Sequence, residues 1–280
     1  MDAVVFPDIE QLQSEARELR RMVIDMAYRA GSGHCGGSLS CAEILLTLYR
    51  CVLKVRPAEP NWPDRDRFIL SKGHAAPMLY AVLARLGFFP VEWLGTLRQL
   101  GSPLQGHPDM CKTPGIDMST GSLGMGLSAG IGMAWSARLQ GKSWRVFVLV
   151  GDGELNEGQN WEAAMLASKL ALSNLVLIVD LNQVQLDGPT SVVMPLGSVS
   201  DKFRAFGWSV RECNGHSLAD LIRVIPVLPG GNQPAVLIAR TVKGKGVSFM
   251  EGDHRWHGAP LTLEDYRTAI ADLEEIIRER

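Results

Sequence analysis

Two short polar motifs sit at the ends of apolar runs, and their residue types suit a divalent cation. Residues 145–150 are an apolar run that closes at Gly151-Asp152-Gly153, and residues 174–181 are a second that closes at Asp180-Leu181-Asn182. If both runs are neighbouring parallel strands, their ends lie within about 5–10 Å of each other. An Asp carboxylate and an Asn amide oxygen are hard donors that suit Mg²⁺ or Ca²⁺ rather than zinc. Mg²⁺ takes six oxygens and seldom draws all of them from protein, so phosphate oxygens of a ligand would complete the shell. Gly151 and Gly153 let the backbone approach such a phosphate with no Cβ in the way. A helix expected from about Asn156 would turn its positive end toward the anion. Gly-Asp-Gly alone reads more readily as a plain turn, with Asn182 a loop residue. Their joint occurrence at two strand ends is what favours the ligand reading.

The histidines form the second constellation. Of six, four lie in short Gly-, Ser- or Pro-rich stretches: Ser32-Gly33-His34, Ser71-Lys72-Gly73-His74, Gly106-His107-Pro108 and His257-Gly258-Ala259-Pro260. A His beside Gly on a loop faces a cleft more often than one on an apolar helix. Singly, each reads as an ordinary hydrogen-bonding residue. His254 and His257 lack a cysteine or third ligand nearby, which argues against a zinc pair.

The elements that must position these residues follow from apolar periodicity. Helical spacing marks residues 11–30, 42–52, 77–86 and 123–139, and a Gly-rich break follows the first of them at 31–37. Three prolines make 56–64 a surface connection, and 61–73 leads into the third helix. The order 145–150 strand, Gly-Asp-Gly turn, 156–170 helix, 174–181 strand is a βαβ unit, which requires parallel pairing. Further strands are expected at 208–213 and 235–241, with a helix at 217–227 between them and a terminal amphipathic helix at 263–280. The fold class is α/β, one domain over 1–280, a parallel sheet with helices on both faces. Ligands of such sheets bind at the carboxyl ends of the strands.

Composition narrows the classes. A net charge of −2 gives no reason to expect nucleic acid or an anionic membrane as partner. No apolar run approaches the roughly 20 residues of a membrane span. Residues 1–10 lack the basic start and apolar run of a signal peptide. The five cysteines are irregularly spaced with no C-x-x-C, so neither a disulfide framework nor a structural zinc site is expected, and a reducing cytoplasm fits.

The span from Gly151 to Asn182 resembles the thiamine diphosphate signature, which opens with Gly-Asp-Gly and closes with Asn about 30 residues later. The contexts of residues 32–37, 66–75, 106–108, 120–126, 151–158, 180–188 and 256–260 together resemble transketolase along almost the whole chain. The resemblance implies thiamine diphosphate and Mg²⁺, with Ca²⁺ or Mn²⁺ as substitutes. It assigns the metal to Asp152, Asn182 and the carbonyl of Val184. It implies that Gly121-Ser122-Leu123, Gly151 and Gly153 contact the cofactor. It places His34, His74, His107 and His257 in the substrate channel, holding ketose hydroxyls and moving protons. Glu157 matches an acidic residue near the family's dimer interface, and reads equally as a first-turn helix Glu favoured by the dipole. Cys35 stands where transketolases usually have Pro. Lys243-Gly244-Lys245-Gly246 resembles the split-gene transketolases, and reads equally as a solvated turn.

A complete enzyme of this kind also has a second, pyrimidine-binding domain with the activating glutamate, and a C-terminal domain. Neither is recognisable up to Arg280, so an α2β2 assembly with a partner subunit is expected. The expected reaction moves a two-carbon ketol unit from a ketose, phosphorylated in the family, to an acceptor. Alternatives are the alpha subunit of a 2-oxo acid dehydrogenase, a two-carbon transferase acting on a lipoyl or carrier-protein thiol, and a regulatory cofactor-binding module.

Overall fold

The computed structural model describes residues 8–228 and 231–275. The sheet has five parallel strands: β1 (Arg67–Leu70), β2 (Val146–Gly151), β3 (Leu175–Leu181), β4 (Ser209–Asn214) and β5 (Ala235–Arg240), in the order β1-β2-β3-β5-β4. Four of these match the strands expected from the sequence. β1 falls in what the sequence marks only as a lead-in to a helix. With four residues it is too short for periodicity to mark it, yet it delivers Ser71, Lys72 and His74 to the carboxyl edge of the sheet.

The helices are α1 (Ile9–Ala30), α2 (Cys35–Leu39), α3 (Ala42–Thr47), α4 (Ala76–Arg85), α5 (Met125–Leu139), α6 (Gly158–Lys169), α7 (Thr190–Val193), α8 (Val199–Ala205), α9 (Leu218–Val224) and α10 (Leu263–Glu275). α1 is capped at both ends: Asp8 accepts the Glu10 N–H, and Gly31 closes it with φ 59°. One boundary at the site differs from expectation. Asp152 is followed by a single 3-10 turn, Gly153–Asn156, and the α-helix begins only at Gly158, because Asp152 and Glu154 spend their side chains on backbone N–H groups at this corner. Residues 276–280 of the expected terminal helix lie outside the described residues.

The central strands alternate between two cores, as a sheet covered on both faces must. Phe147, Leu149, Val176 and Ile178 face α1, α3, α4 and α9. Val146, Val148, Val150, Leu175, Leu177 and Val179 face α5, α6 and α8. Each such side chain contributes about 1.5–3 kcal/mol relative to exposure, so the strand ends that carry the polar motifs are held by burial on both sides. Gly130 lets α5 lie against β2: a Cβ there would stand 2.6 Å from the Val148 side chain.

Candidate active site at the strand ends

Gly151 pairs in register with Asp180, so Asp152 and Asn182 leave neighbouring strands side by side. Asp152 is buried, with one carboxylate oxygen accepting the Gly153 N–H and the other the Gln183 N–H. Asn182 Oδ1 accepts the Val184 N–H at 3.1 Å, folding the chain into a tight turn through Gln183 at φ 63°. The Val184 carbonyl accepts Lys243 Nζ at 3.2 Å. Burial, reinforced by the neighbouring Asp180, pushes Asp152 up to about 7 against the pull of those two N–H groups and Lys72.

A buried ion pair underlies this turn. The Lys72 ammonium donates to Asp180, and also to the Gly37 carbonyl at 2.8 Å. Asp180 further accepts the hydroxyls of Ser40 and Thr241. Burial works against both charges, but each holds the other ionised: Lys72 is shifted above its usual range and Asp180 below. Glu154 is a second buried anchor. It accepts the Ser71 hydroxyl, the Gly124 N–H at 2.9 Å and the Gly151 N–H at 3.1 Å, joining the ends of β1 and β2 to the start of α5.

The loop carrying Gly121-Ser122-Leu123 lies against the end of β1. Thr120 donates its hydroxyl to the Leu70 carbonyl at 2.7 Å. Cβ atoms at Gly73 and Gly121 would stand 2.9 Å from the Gly121 nitrogen and 3.1 Å from the His107 ring. Gly121, at φ 147°, thus sits between His107 and the 73–74 corner.

The four loop histidines meet in one cluster. Ring centroids of His74, His107 and His257 lie 5.8, 6.0 and 5.5 Å from that of His34, and His74 and His257 are 4.8 Å apart. All four are held neutral. Burial leads in each case, lowering His34 to about 4 and His257 to about 3, with Arg98 adding to the first and Lys243 to the second. His74 and His107 shift the same way. The other two histidines lie elsewhere: His216 is bound to Glu43 at 2.9 Å, and His254 is exposed beside Asp253.

Several residues of this region carry no signal in the sequence. Lys72, Arg98 and Glu154 stand out by neither spacing nor type. Lys243 and Lys245 read alike, as parts of one basic turn, and the structure separates them. Lys243 is buried with Nζ 3.0 Å from His257 Nδ1, whereas Lys245 is on the surface with Glu251. Burial, with Lys72 nearby, brings Lys243 down to about 8. The trace it leaves in the sequence is the glycine at position 36, whose Cβ would stand 3.0 Å from the Lys243 side chain. Glu157 is exposed at the start of α6, makes no capping hydrogen bond, and packs beside Gly124. Cys35 is buried and burial pushes its thiol up to about 12, which makes it an inert core residue. No helix among the described residues is long and apolar enough to cross a membrane.

Comparison with known proteins matches this arrangement. Residues 12–273 match the family model described as transketolase, thiamine diphosphate binding domain. The chain is 43% identical over 265 residues to a 6-deoxy-6-sulfo-D-fructose transketolase subunit of Clostridium sp. (strain MSTE9), covering 94% of this chain and 96% of that protein. It is also 43% identical over 270 residues to an apulose-4-phosphate transketolase subunit of Phocaeicola vulgatus, covering 96% of each. The crystal structure of Campylobacter jejuni transketolase superposes with a TM-score of 0.90 at 34% identity, over 96% of this chain and 43% of that one. The chain thus spans nearly the whole of the subunit relatives and less than half of the solved full-length enzyme. With its parallel sheet and these motifs at the strand ends, the chain belongs to the transketolase family, as a thiamine diphosphate-binding domain.

Proposed function

We propose that the chain is the diphosphate-binding subunit of a two-subunit transketolase, transferring a two-carbon ketol unit from an anionic ketose to an acceptor. The observation that carries this reading is the gathering of four neutral histidines beside the Asp152–Asn182 turn. A 2-oxo acid dehydrogenase subunit has no need of so many hydroxyl-binding imidazoles. Bound thiamine diphosphate would supply the nucleophilic carbon and electron sink needed to break a C–C bond beside a carbonyl.

The residues fit a hard cation with that diphosphate. Asp152, Asn182 and the Val184 carbonyl offer only oxygen, and each accepting oxygen already spends one lone pair on an N–H donor or Lys243, leaving capacity for a metal. Among the described residues, no three His, Cys, Asp or Glu side chains gather into a metal group. The shell would therefore be completed by diphosphate oxygens, as Mg²⁺ prefers, with Ca²⁺ or Mn²⁺ as substitutes. The backbone of Gly121-Ser122-Leu123 and of Gly151 and Gly153 would line the cofactor, and Glu157 would lie toward a partner.

The chain's own part in turnover is to bind, orient and exclude water. His34, His74, His107 and His257 hold ketose hydroxyls, those with a free acceptor nitrogen also carry protons, and their neutrality keeps a carbanion-forming site free of acidic imidazolium. The two subunit relatives are named for sugars that carry a sulfo group and a phosphate, which supports an anionic ketose as donor. Their naming as subunits supports a partner. That partner would bring the pyrimidine-binding domain, its activating glutamate and the C-terminal domain, most simply as α2β2 in the cytoplasm. The test is to mix the chain with its partner, Mg²⁺ and thiamine diphosphate and follow ketol transfer from ketose phosphates. Oxidative decarboxylation of a 2-oxo acid, or no transfer with any sugar phosphate, would overturn the reading.

A further inference from the structure

We infer that Arg98 is a positioning residue that fixes His34 as its neutral Nε2–H tautomer, so that His34 meets the substrate only as a hydrogen-bond donor. The inference rests on reading the cluster as a ketose site, but the wiring itself is a matter of hydrogen-bond chemistry. Arg98 Nη2 lies 3.1 Å from His34 Nδ1. A guanidinium has N–H donors and no acceptor, and it stays charged. Nδ1 must therefore accept. A neutral imidazole carries one ring proton, which is then left at Nε2.

The other edge of the ring faces the site. A Cβ at Gly258 would stand 3.6 Å from His34 Nε2, which places that nitrogen beside the His257–Gly258 corner and away from Arg98. A second proton at Nδ1 is disfavoured by burial and by the Arg98 charge, which together lower His34 to about 4. Among the described residues Arg98 forms no ion pair with a carboxylate, so the imidazole is the partner its charge finds.

The fold makes two local concessions to this contact. Among the described residues Arg98 is one of three non-glycine residues at positive φ, at 62°, a conformation that strains an L side chain. Its N–H donates to the Leu104 carbonyl at 2.8 Å, which pins that conformation. The guanidinium then lies over Gly106, where a Cβ would come within 2.7 Å of it. A strained backbone and an open glycine place one charged group against one histidine nitrogen.

His216 is wired in the opposite sense and provides an internal contrast. Its Nε2 accepts the Val242 N–H at 2.8 Å, so its proton is on Nδ1, facing Glu43 at 2.9 Å. The consequence for His34 is directional. It can stabilise negative charge growing on a substrate oxygen, but it cannot take the proton from a substrate hydroxyl. That proton must pass to another acceptor in the assembled site.

The test is a long-range ¹H–¹⁵N correlation spectrum of the full chain labelled with ¹⁵N-histidine. His34→Gln assigns the signals. The expected wild-type result is an unprotonated Nδ1 and a protonated Nε2 at His34, with the reverse at His216. Arg98→Met and Gly106→Ala should each turn His34 into a mixture of tautomers, whereas Arg98→Lys, still a donor only, should keep Nε2–H. With the partner present, Arg98→Met should lose about 10–100-fold in turnover, the usual cost of removing a group that orients a functional histidine, with cofactor affinity unchanged. A proton on Nδ1 of His34 in the wild type would overturn the inference. So would pure Nε2–H in both Arg98→Met and Gly106→Ala. If Arg98→Met fails to fold, the wild-type spectrum and Gly106→Ala still decide. The expected tautomers in a chain that transfers no ketol group would uphold the wiring and remove the ketose reading.

Discussion

Lys72 and Asp180, 108 positions apart, form an ion pair in which neither side chain is more than 1% exposed. It ties the end of β1 to the end of β3 directly beneath Asp152. Removing one partner of such a pair strands a charge away from water, at a cost of about 3–5 kcal/mol. Lys72→Met should therefore lower the thermal midpoint of the purified chain sharply. Lys72→Met combined with Asp180→Leu should recover part of the loss, less what Ser40 and Thr241 forfeit as their shared acceptor disappears. Unchanged denaturation profiles for the single variant would show that this pair does not hold the strand ends.

Asn182→Ala and Asp152→Ala should both weaken thiamine diphosphate binding at ordinary Mg²⁺ concentrations, measured by calorimetry with the partner present. Their effects on folding should differ. Asn182 accepts one N–H, in a partly exposed turn. Asp152 is buried and accepts two, which its removal leaves unsatisfied, at about 1–3 kcal/mol each. Asp152→Ala should thus lose stability as well as affinity, and Asn182→Ala affinity alone. Wild-type affinity in either variant would remove that residue from the metal site.

The pieces legible in the sequence are those with a local pattern. β2 and β3 are six- and seven-residue apolar strands, and Gly-Asp-Gly and Asn182 stand at their ends. The four histidines are visible as residues, but only the family resemblance says that they meet. The charged groups that set their environment are silent for a physical reason. Lys72 gains its meaning from Asp180, a contact made by strand order, and Lys243 from His257, a contact made by the fold of the segment after β5, neither by immediate neighbours in the chain. Arg98 lies in a loop with no periodicity, and Glu154 sits in a turn where an acidic residue is ordinary. Glu157, the more conspicuous of the two glutamates in the sequence, is the exposed one.

His107→Ala and His257→Ala should lower turnover by about 10²–10⁴-fold, the range of acid–base contributions, with little change in cofactor affinity. His257 faces Lys243 at 3.0 Å and His107 borders Gly121, and neither is part of the Asp152–Asn182 turn. Steady-state kinetics on a ketose phosphate would check this. Unchanged turnover would return the altered residue to an ordinary structural role.

Acid should destabilise the chain through His34 in a defined window. Burial and Arg98 hold His34 at about 4 in the folded chain, below the roughly 6.5 of an unfolded histidine. As pH falls below about 6.5 the unfolded chain takes up the proton first, so the equilibrium moves toward unfolding until the folded state also binds it near 4. Stability is therefore expected to be full above about 6.5 and to decline between there and 4. His34→Gln should reduce the difference in thermal midpoint between neutral and mildly acid buffer. An identical pH dependence in this variant would show that His34 is not held neutral by the fold.

The last prediction concerns assembly. Met125 at the start of α5, Met165 and Leu166 on α6, and Val192 on α7 are all exposed. Met125 follows Gly124, which is fixed by Glu154 and packs beside Glu157. Large exposed apolar side chains on elements that lead from the site are candidates for a partner surface. A site that generates a carbanion must be closed to water, and a second subunit docking here would close it, across an interface of at least the standard size of about 1,600 Å². The purified chain should therefore show no ketol transfer alone and gain it on mixing with its partner. Met125→Asp and Met165→Asp place charge in the expected contact without touching the Asp152–Asn182 turn or the histidines. Each should raise the partner concentration needed for half-maximal activity while leaving the thermal midpoint of the isolated chain nearly unchanged. Sedimentation of the mixed subunits gives the stoichiometry, with two copies of each expected. Full activity from the chain alone, free of co-purified partner, would sink the two-subunit reading. Normal assembly by both Asp variants would move the interface away from α5 and α6.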